Sequence, residues 1–291
     1  MKISNTATDC QTSEVILREQ RQICRERFFS NPGLIIGLTV FILIPAAVNV
    51  DPNEMAIADR LKGPSLNHPF GTDEFGRDLM IRVLYGARVS LLVGGAVALL
   101  SCVLGTVTGI YASYFKILDH ILMRICEGLI AIPGVLLAIA LMAALGASNL
   151  NVIIALTIVY TPSVARIVRS SALVTRGLPY VEAAKVQGAG SGRILWKLIL
   201  PSVISPLTVQ ASFIFAQAII SEASLSFLGA GIPAPAASWG NILQGSKQVL
   251  QKAPWTVLFP GLAVVLCVLS LNLLGDGLRD YLDPRTAGRK K

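Results

Sequence analysis

Five long runs in the sequence carry no charged residue, and they constrain the fold more than any other feature. They are Phe28–Val50 (23 residues), Val89–Phe115 (27), Gly128–Ala165 (38), Leu198–Ser221 (24) and Ala253–Gly275 (23). A helix needs about 20 predominantly apolar residues to cross the hydrocarbon core of a bilayer. The 38-residue run is too long for one crossing. It contains the turn-forming stretch Gly146-Ala147-Ser148-Asn149-Leu150-Asn151, so it reads as a hairpin of two spans. The expected fold is therefore an all-α integral membrane protein of about six transmembrane helices, near 33–50, 89–113, 123–145, 151–171, 203–227 and 256–275. The runs are continuous rather than alternating, which argues against a barrel. Ala223–Ser246 is also uncharged, but Gly229, Gly231, Pro233 and Pro235 interrupt it, so a structured loop is expected there.

Charge sets the orientation. Only 14% of residues are charged, 53% are hydrophobic, and the net charge is +8. Because the basic residues lie between apolar runs, topology explains them better than nucleic-acid binding does. With the N-terminus inside, 18 Lys and Arg fall on the cytoplasmic side and 7 outside, which favours both termini in the cytoplasm. A polar cytoplasmic tail (1–32), a transmembrane domain (33–285) and a short basic tail (286–291) follow. The acids Asp9, Glu14, Glu19 and Glu26 in a long leader make the first run an uncleaved span rather than a cleavable signal. The five cysteines have neither metal-ligand spacing nor an even count, so packing and tail positions account for them.

The segment between spans four and five, about 176–201, is the most informative. It reads Gly177-Leu178-Pro179-Tyr180-Val181-Glu182-Ala183-Ala184-Lys185-Val186-Gln187-Gly188, then Ser191 to Leu200-Pro201. Pro179 suits a helix start, and Glu182 suits the positive end of that helix. Gly188 suits its stop. A second short helix is expected from about Ser191, with Pro201 marking the start of the next span. The order is Glu-Ala-Ala, three residues, Gly, nine residues, Leu198, one residue, Leu200-Pro201. It resembles the cytoplasmic coupling motif of binding-protein-dependent ABC importer permeases. The resemblance implies that Glu182, Ala183, Ala184 and Gly188, with Leu200 and Pro201 in register, dock on a separate ATPase subunit. An ordinary helical hairpin is the plain alternative.

Three further segments narrow the family. The first outside loop carries Gly71, Thr72, Asp73, Gly76, Arg77 and Asp78, with His68 before them. Physically this is a turn-rich collar in which Arg77 pairs with Asp73 or Asp78; a single histidine gives little support to a metal site. The string resembles the signature of the dipeptide, oligopeptide and nickel permease subfamily, in its second ("C-type") subunit, with Phe70 where Leu is commoner. Glu222-Ala223-Ser224-Leu225-Ser226-Phe227-Leu228-Gly229, with Ser238-Trp239-Gly240, resembles that subfamily's fifth-span exit, although Ala230 departs from the usual Leu. Asn272 to Arg285 resembles its end signature. Glu222 has two readings: a translocation-pathway acid, as intramembrane acids often are, or a structural pair or cap. Arg124 and Glu127 are spaced to pair on one helix face, and Arg166 and Arg169 are placed to snorkel.

No Gly-x4-Gly-Lys-Ser/Thr loop occurs, and His68 and His120 fall on opposite sides of the expected membrane, so neither a nucleotide site nor a catalytic pair is legible. The resemblance implies a non-catalytic permease subunit without a cofactor. Its implied partners are a second permease, two ATPase subunits and a periplasmic solute-binding protein, in the bacterial inner membrane. Short peptides are the first expectation for cargo, with nickel, glutathione or another small solute as alternatives. A stand-alone secondary transporter or channel is the rival of another class; it would need coupling-ion residues deep in the spans, which are nearly free of them.

Overall fold

The structure, a computed structural model, describes residues 51–233 and 235–282. The polar tail, the first predicted span and the basic end lie outside the described residues. Within them the chain forms α1 (Leu79–Tyr114), α2 (Lys116–Ala131), α3 (Gly134–Leu145), α4 (Asn149–Arg176), α5 (Pro179–Val186), α6 (Ser191–Phe227), α7 (Trp239–Gly245) and α8 (Trp255–Leu282). Among the described residues the sole β feature is an isolated bridge between Thr72 and Asp78. The helices α1, α4, α6 and α8 are each long and apolar enough to cross a membrane, and α2 with α3 makes a fifth if the bent pair is one span.

Two elements differ from expectation. The predicted third span, 123–145, is not one helix: α2 begins at Lys116 and meets α3 at a 95° bend. Pro133 causes the break. A proline excludes the helical region for the residue before it and cannot donate to the helix ladder. Ile132 accordingly sits at φ −91°, ψ 130° and Pro133 at φ −52°, ψ 127°. The second difference is that α1 starts ten residues before the predicted boundary. Asp78 caps it, accepting from the Ile81 N–H at 3.1 Å. Arg82 and Arg88 lie within the helix, where charge had hidden its first turns. At 36 residues, α1 is about 54 Å long. The hairpin turn stands as expected. Ser148 caps α4 through the Asn151 N–H at 3.1 Å, and the Asn151 amide donates to Leu145 O and Gly146 O.

The core is split. One cluster joins α1, α4 and α6, with Val97, Ile110, Leu156, Val168 and Ile214 fully or nearly enclosed. The other joins α1, α6, α7 and α8 around Leu79, Ile219, Trp239 and Cys267. Leu258, Leu262, Val265, Leu266, Leu269 and Leu273 form an exposed apolar stripe on α8 at helical spacing, suited to hydrocarbon rather than water.

Spans in lipid gain little from burying apolar surface against each other, so close packing decides their association. On α1, Gly105 and Gly109 are one turn apart and face Val164, Ala165 and Val168 of α4. A Cβ built on Gly109 would stand 2.6 Å from the Ala165 carbonyl oxygen and 2.8 Å from Val168 Cβ. Gly109→Val is expected to lower the thermal midpoint of the detergent-solubilised protein by the equivalent of about 1–3 kcal/mol, the usual cost of overpacking. An unchanged midpoint would mean that α1 and α4 separate at no cost.

Candidate functional site

The segment between α4 and α6 is built from local rules and then anchored. α4 ends at Arg176, and Leu178 receives the first helical bonds of α5 from the Val181 and Glu182 N–H groups. Pro179 occupies the first turn, where its missing donor costs nothing. At the other end the Ala189 N–H donates to Ala184 O and the Gly188 N–H to Lys185 O, both at 3.0 Å. This paired pattern closes a helix on a left-handed residue, and Gly188 is that residue, at φ +81°. Nothing lies within 4 Å of the place a Gly188 Cβ would occupy, so the demand is for conformation rather than space.

Val181 fixes α5 to the bundle. It is fully buried in the same cluster as Ile194, Leu195 and Ile199. A second tie runs through α1. The Arg176 guanidinium donates to the Ser113 carbonyl at 2.8 Å and the Tyr114 carbonyl at 3.3 Å, completing the carbonyl end of that helix. Arg176 and the Lys185 ammonium also lie 5.4 and 5.8 Å from the Tyr114 ring centre. Outward lie Pro179, Tyr180, Glu182, Ala183, Val186, Gln187 and Gly188; Val186 is 89% exposed. Ala184 is half-buried.

The second short helix expected here is the beginning of α6, with no separate helix after it. Ile194–Ile199 is a π-helical stretch, and the Leu200 N–H donates five residues back to Leu195 O. Pro201 explains the widening, since it has no N–H and its ring crowds the carbonyl four residues earlier. Pro201 therefore shapes the helix, while Leu200 is half-buried.

The collar before α1 lies a full helix length away. Asp73 organises it: one carboxylate oxygen accepts from the Phe75 and Arg77 N–H groups (2.8 and 3.0 Å), the other from Arg77 Nε at 2.6 Å. So Arg77 pairs with Asp73. Asp78 instead caps α1 and meets His68 Nδ1 at 2.8 Å. Gly71 and Gly76 take φ +79° and +76°. Thr72 bonds to the Asp59 and Lys62 backbones, and its carbonyl accepts from Trp255 Nε1 at 3.3 Å. Lys62 hydrogen-bonds Asp59 and holds its carboxyl below the ordinary carboxylate range. Among the described residues no group of three potential metal ligands converges.

Glu222 is fully buried. Its carboxylate accepts from Ser90 Oγ of α1 at 2.8 Å and Ser226 Oγ at 2.9 Å, and Ser226 Oγ accepts from the Ile232 N–H at 3.1 Å. Of its two readings, structural pairing fits this geometry. Arg169, placed to snorkel, has a partner: two bonds of 2.5 and 2.6 Å join it to Asp119 of α2. Arg124 and Glu127 stand 3.9 Å apart and largely exposed, an arrangement worth little. Sequence reading placed Trp239 in the fifth-span exit string without a partner, and it did not single out Trp255. The tryptophans carried a signal, because a buried indole N–H needs an acceptor. Trp239 finds Val83 O at 2.9 Å, 156 residues away, and that pairing is not legible locally.

Known proteins from several bacteria resemble this chain in sequence. A dipeptide transport system permease protein of Alkalihalophilus pseudofirmus is 46% identical over 258 residues, covering 87% of this chain and 84% of its own. A glutathione transport system permease protein of Pectobacterium atrosepticum is 41% identical, covering 91% of each. A Brucella suis protein whose name assigns it to peptide transport is 48% identical over 95% of this chain and 94% of its own. In fold, a chain from inward-facing crystals of the MetNI methionine ABC transporter matches 70% of this chain and 98% of its own, with TM-score 0.60 at 19% identity. The family model described as "binding-protein-dependent transport system inner membrane component" matches residues 101–288, well over half the chain. The chain belongs to that family of ABC importer permeases.

Proposed function

We propose that this chain is one permease subunit of an ATP-driven importer of short peptides. The observation that carries the reading is the outward face of α5. Glu182, Ala183 and Gly188 project on a short helix whose other side is locked into the core by Val181 and tied to the end of α1 through Arg176. An exposed face that includes the small Ala183 and Gly188, on a rigid stem, suits close docking of a second protein and transmission of its motion. That protein is the ATPase, with Leu200 and Pro201 closing the π-helical stretch through which α6 continues from the docking segment. ATP hydrolysis belongs to those partners. The remaining partners are a second permease of the same fold and a solute-binding protein on the opposite side. The α5 face is cytoplasmic, as are both termini, following the excess of basic residues on that side. Transport proceeds by alternating access.

Peptide cargo is supported by the names of the relatives. The glutathione relative favours a second reading within the same chemistry, since glutathione is itself a tripeptide. Affinity purification of the tagged chain from mild detergent is expected to recover an ATPase and a second permease, and peptide-loaded binding protein is expected to stimulate ATP hydrolysis. Recovery of the chain alone, under crosslinking as well, would sink the importer reading in favour of a stand-alone transporter. Stimulation by a loaded non-peptide binding protein alone would move the cargo.

A further inference from the structure

The break at Ile132–Pro133 opens a cleft of about 290 Å³ between α2, α3, α4 and α6. Its apolar lining includes Ile132 and Phe213, but four neutral hydrogen-bonding side chains also line it: Tyr160, Ser163, Gln210 and Gln217. No charged residue lines it. On α6 the polar positions continue as a stripe. Gln210, Gln217, Ser221 and Ser224 are spaced by seven, four and three residues, which places them on one helix face. The stripe covers about 21 Å of helix. Gln217 is exposed, and Gln210, Ser221 and Ser224 are half-buried. Tyr160 of α4 anchors its middle, with its hydroxyl 2.6 Å from Ser221 Oγ and 3.2 Å from Gln217 O.

Two glutamine side chains held halfway along a span demand an explanation. Polar groups at that depth are costly in hydrocarbon and face a protein interior or a watered cavity. A span interrupted by proline beside them is the arrangement in which membrane proteins place the site for what they carry. The chemistry is also selective. Carboxamides and hydroxyls donate to and accept from peptide C=O and N–H groups. Having no charge, they neither attract nor repel the charged side chains of a mixed set of peptides. We infer that this neutral stripe, with Tyr160 as its brace, is the wall along which peptide backbones pass, and that its neutrality lets peptides of either charge through. The inference rests on the peptide-importer reading and names the residues that serve it.

The test uses the complete transporter in proteoliposomes, with a tripeptide set of positive, neutral and negative members. Gln217→Leu is expected to slow uptake of all three by a similar factor while loaded binding protein still stimulates ATP hydrolysis. Gln217→Glu is expected to split them, favouring the cationic over the anionic member by about tenfold, the scale of two partly hydrated charges at close range. Leu262→Glu on the exposed stripe of α8 should produce no such split. In a cysteine-free background, a cysteine at 217 is expected to react with a membrane-impermeant thiol reagent in one conformational state, and transported tripeptide should slow that reaction. Equal uptake of all three tripeptides by Gln217→Glu would overturn the proposal. So would a cysteine at 217 sealed in every state, which would assign the stripe to contact with the second permease. Failure of the unmodified complex to carry any of the tripeptides would instead refute the peptide-importer reading, before any variant is compared.

Discussion

Gly188→Val is expected to cut ATP-driven uptake by about 5–30-fold while the protein remains at normal abundance in the membrane. The argument begins with the backbone. Gly188 sits at φ +81° with nothing near its missing Cβ. A β-branched residue there meets no neighbour but is forced into the left-handed region, at a cost of roughly 1–2 kcal/mol. The cost is relieved by unwinding the last turn of α5, which gives up the bonds from Ala189 to Ala184 and from Gly188 to Lys185. A bias of this size changes a population ratio about 5–30-fold, enough to make the docking-competent loop the minor form. The anchor at Val181 and the spans themselves are untouched, so insertion should persist. Gly188→Asn is the informative control, because asparagine tolerates the left-handed region; it should keep most of the uptake. Glu182→Lys should also lose transport, by placing a cation at the positive end of α5 and reversing the charge offered to the ATPase. Normal uptake by Gly188→Val would remove α5 from the coupling role. Equal loss in the valine and asparagine variants would show that the residue type, rather than its backbone angle, matters.

What sequence could reveal here follows the range of the forces involved. Most spans among the described residues were legible because a charge in lipid is costly residue by residue, so a crossing shows as an uncharged run. The same criterion failed where charge and helix do not coincide. α1 carries Arg82 and Arg88 in its first turns, and the break at Pro133 lies inside an unbroken apolar run. That break was written in the sequence as a single proline, yet run length alone passed over it. The start and stop of α5 were legible because caps and left-handed glycines act within five residues. The π-helical stretch before Pro201 was not, since it is settled by how α6 packs once the proline has removed its bond. Least legible were the pairings that lock the opposite end of the bundle. Ser90 and Glu222 are 132 positions apart, and Val83 and Trp239 are 156 apart; only the fold brings them together.

Glu222→Leu is expected to lower the thermal midpoint of the purified protein by on the order of 5–10 °C, and Glu222→Gln to leave it nearly unchanged. The difference comes from hydroxyl chemistry. Glu222 is enclosed between Ser90 of α1 and Ser226 of its own helix, and each donates to one carboxylate oxygen. Leucine fills similar volume but accepts nothing, so the buried hydroxyls of Ser90, Ser226 and Ser238 lose this acceptor at about 1–3 kcal/mol each. The loss spreads, because Ser226 Oγ also receives the Ile232 N–H and so holds the loop after α6. Glutamine keeps the shape and one acceptor oxygen. Its amide nitrogen meets a serine whose hydroxyl can turn and accept, since a hydroxyl does both. A structural Glu222 therefore predicts that glutamine restores both stability and uptake. A pathway acid predicts the opposite pairing, with a stable Glu222→Gln protein that no longer transports, because charge is what such an acid would supply. The two assays together separate the readings: full uptake by Glu222→Gln places this carboxylate among the braces of the bundle, and lost uptake at an unchanged midpoint returns it to the route of the cargo.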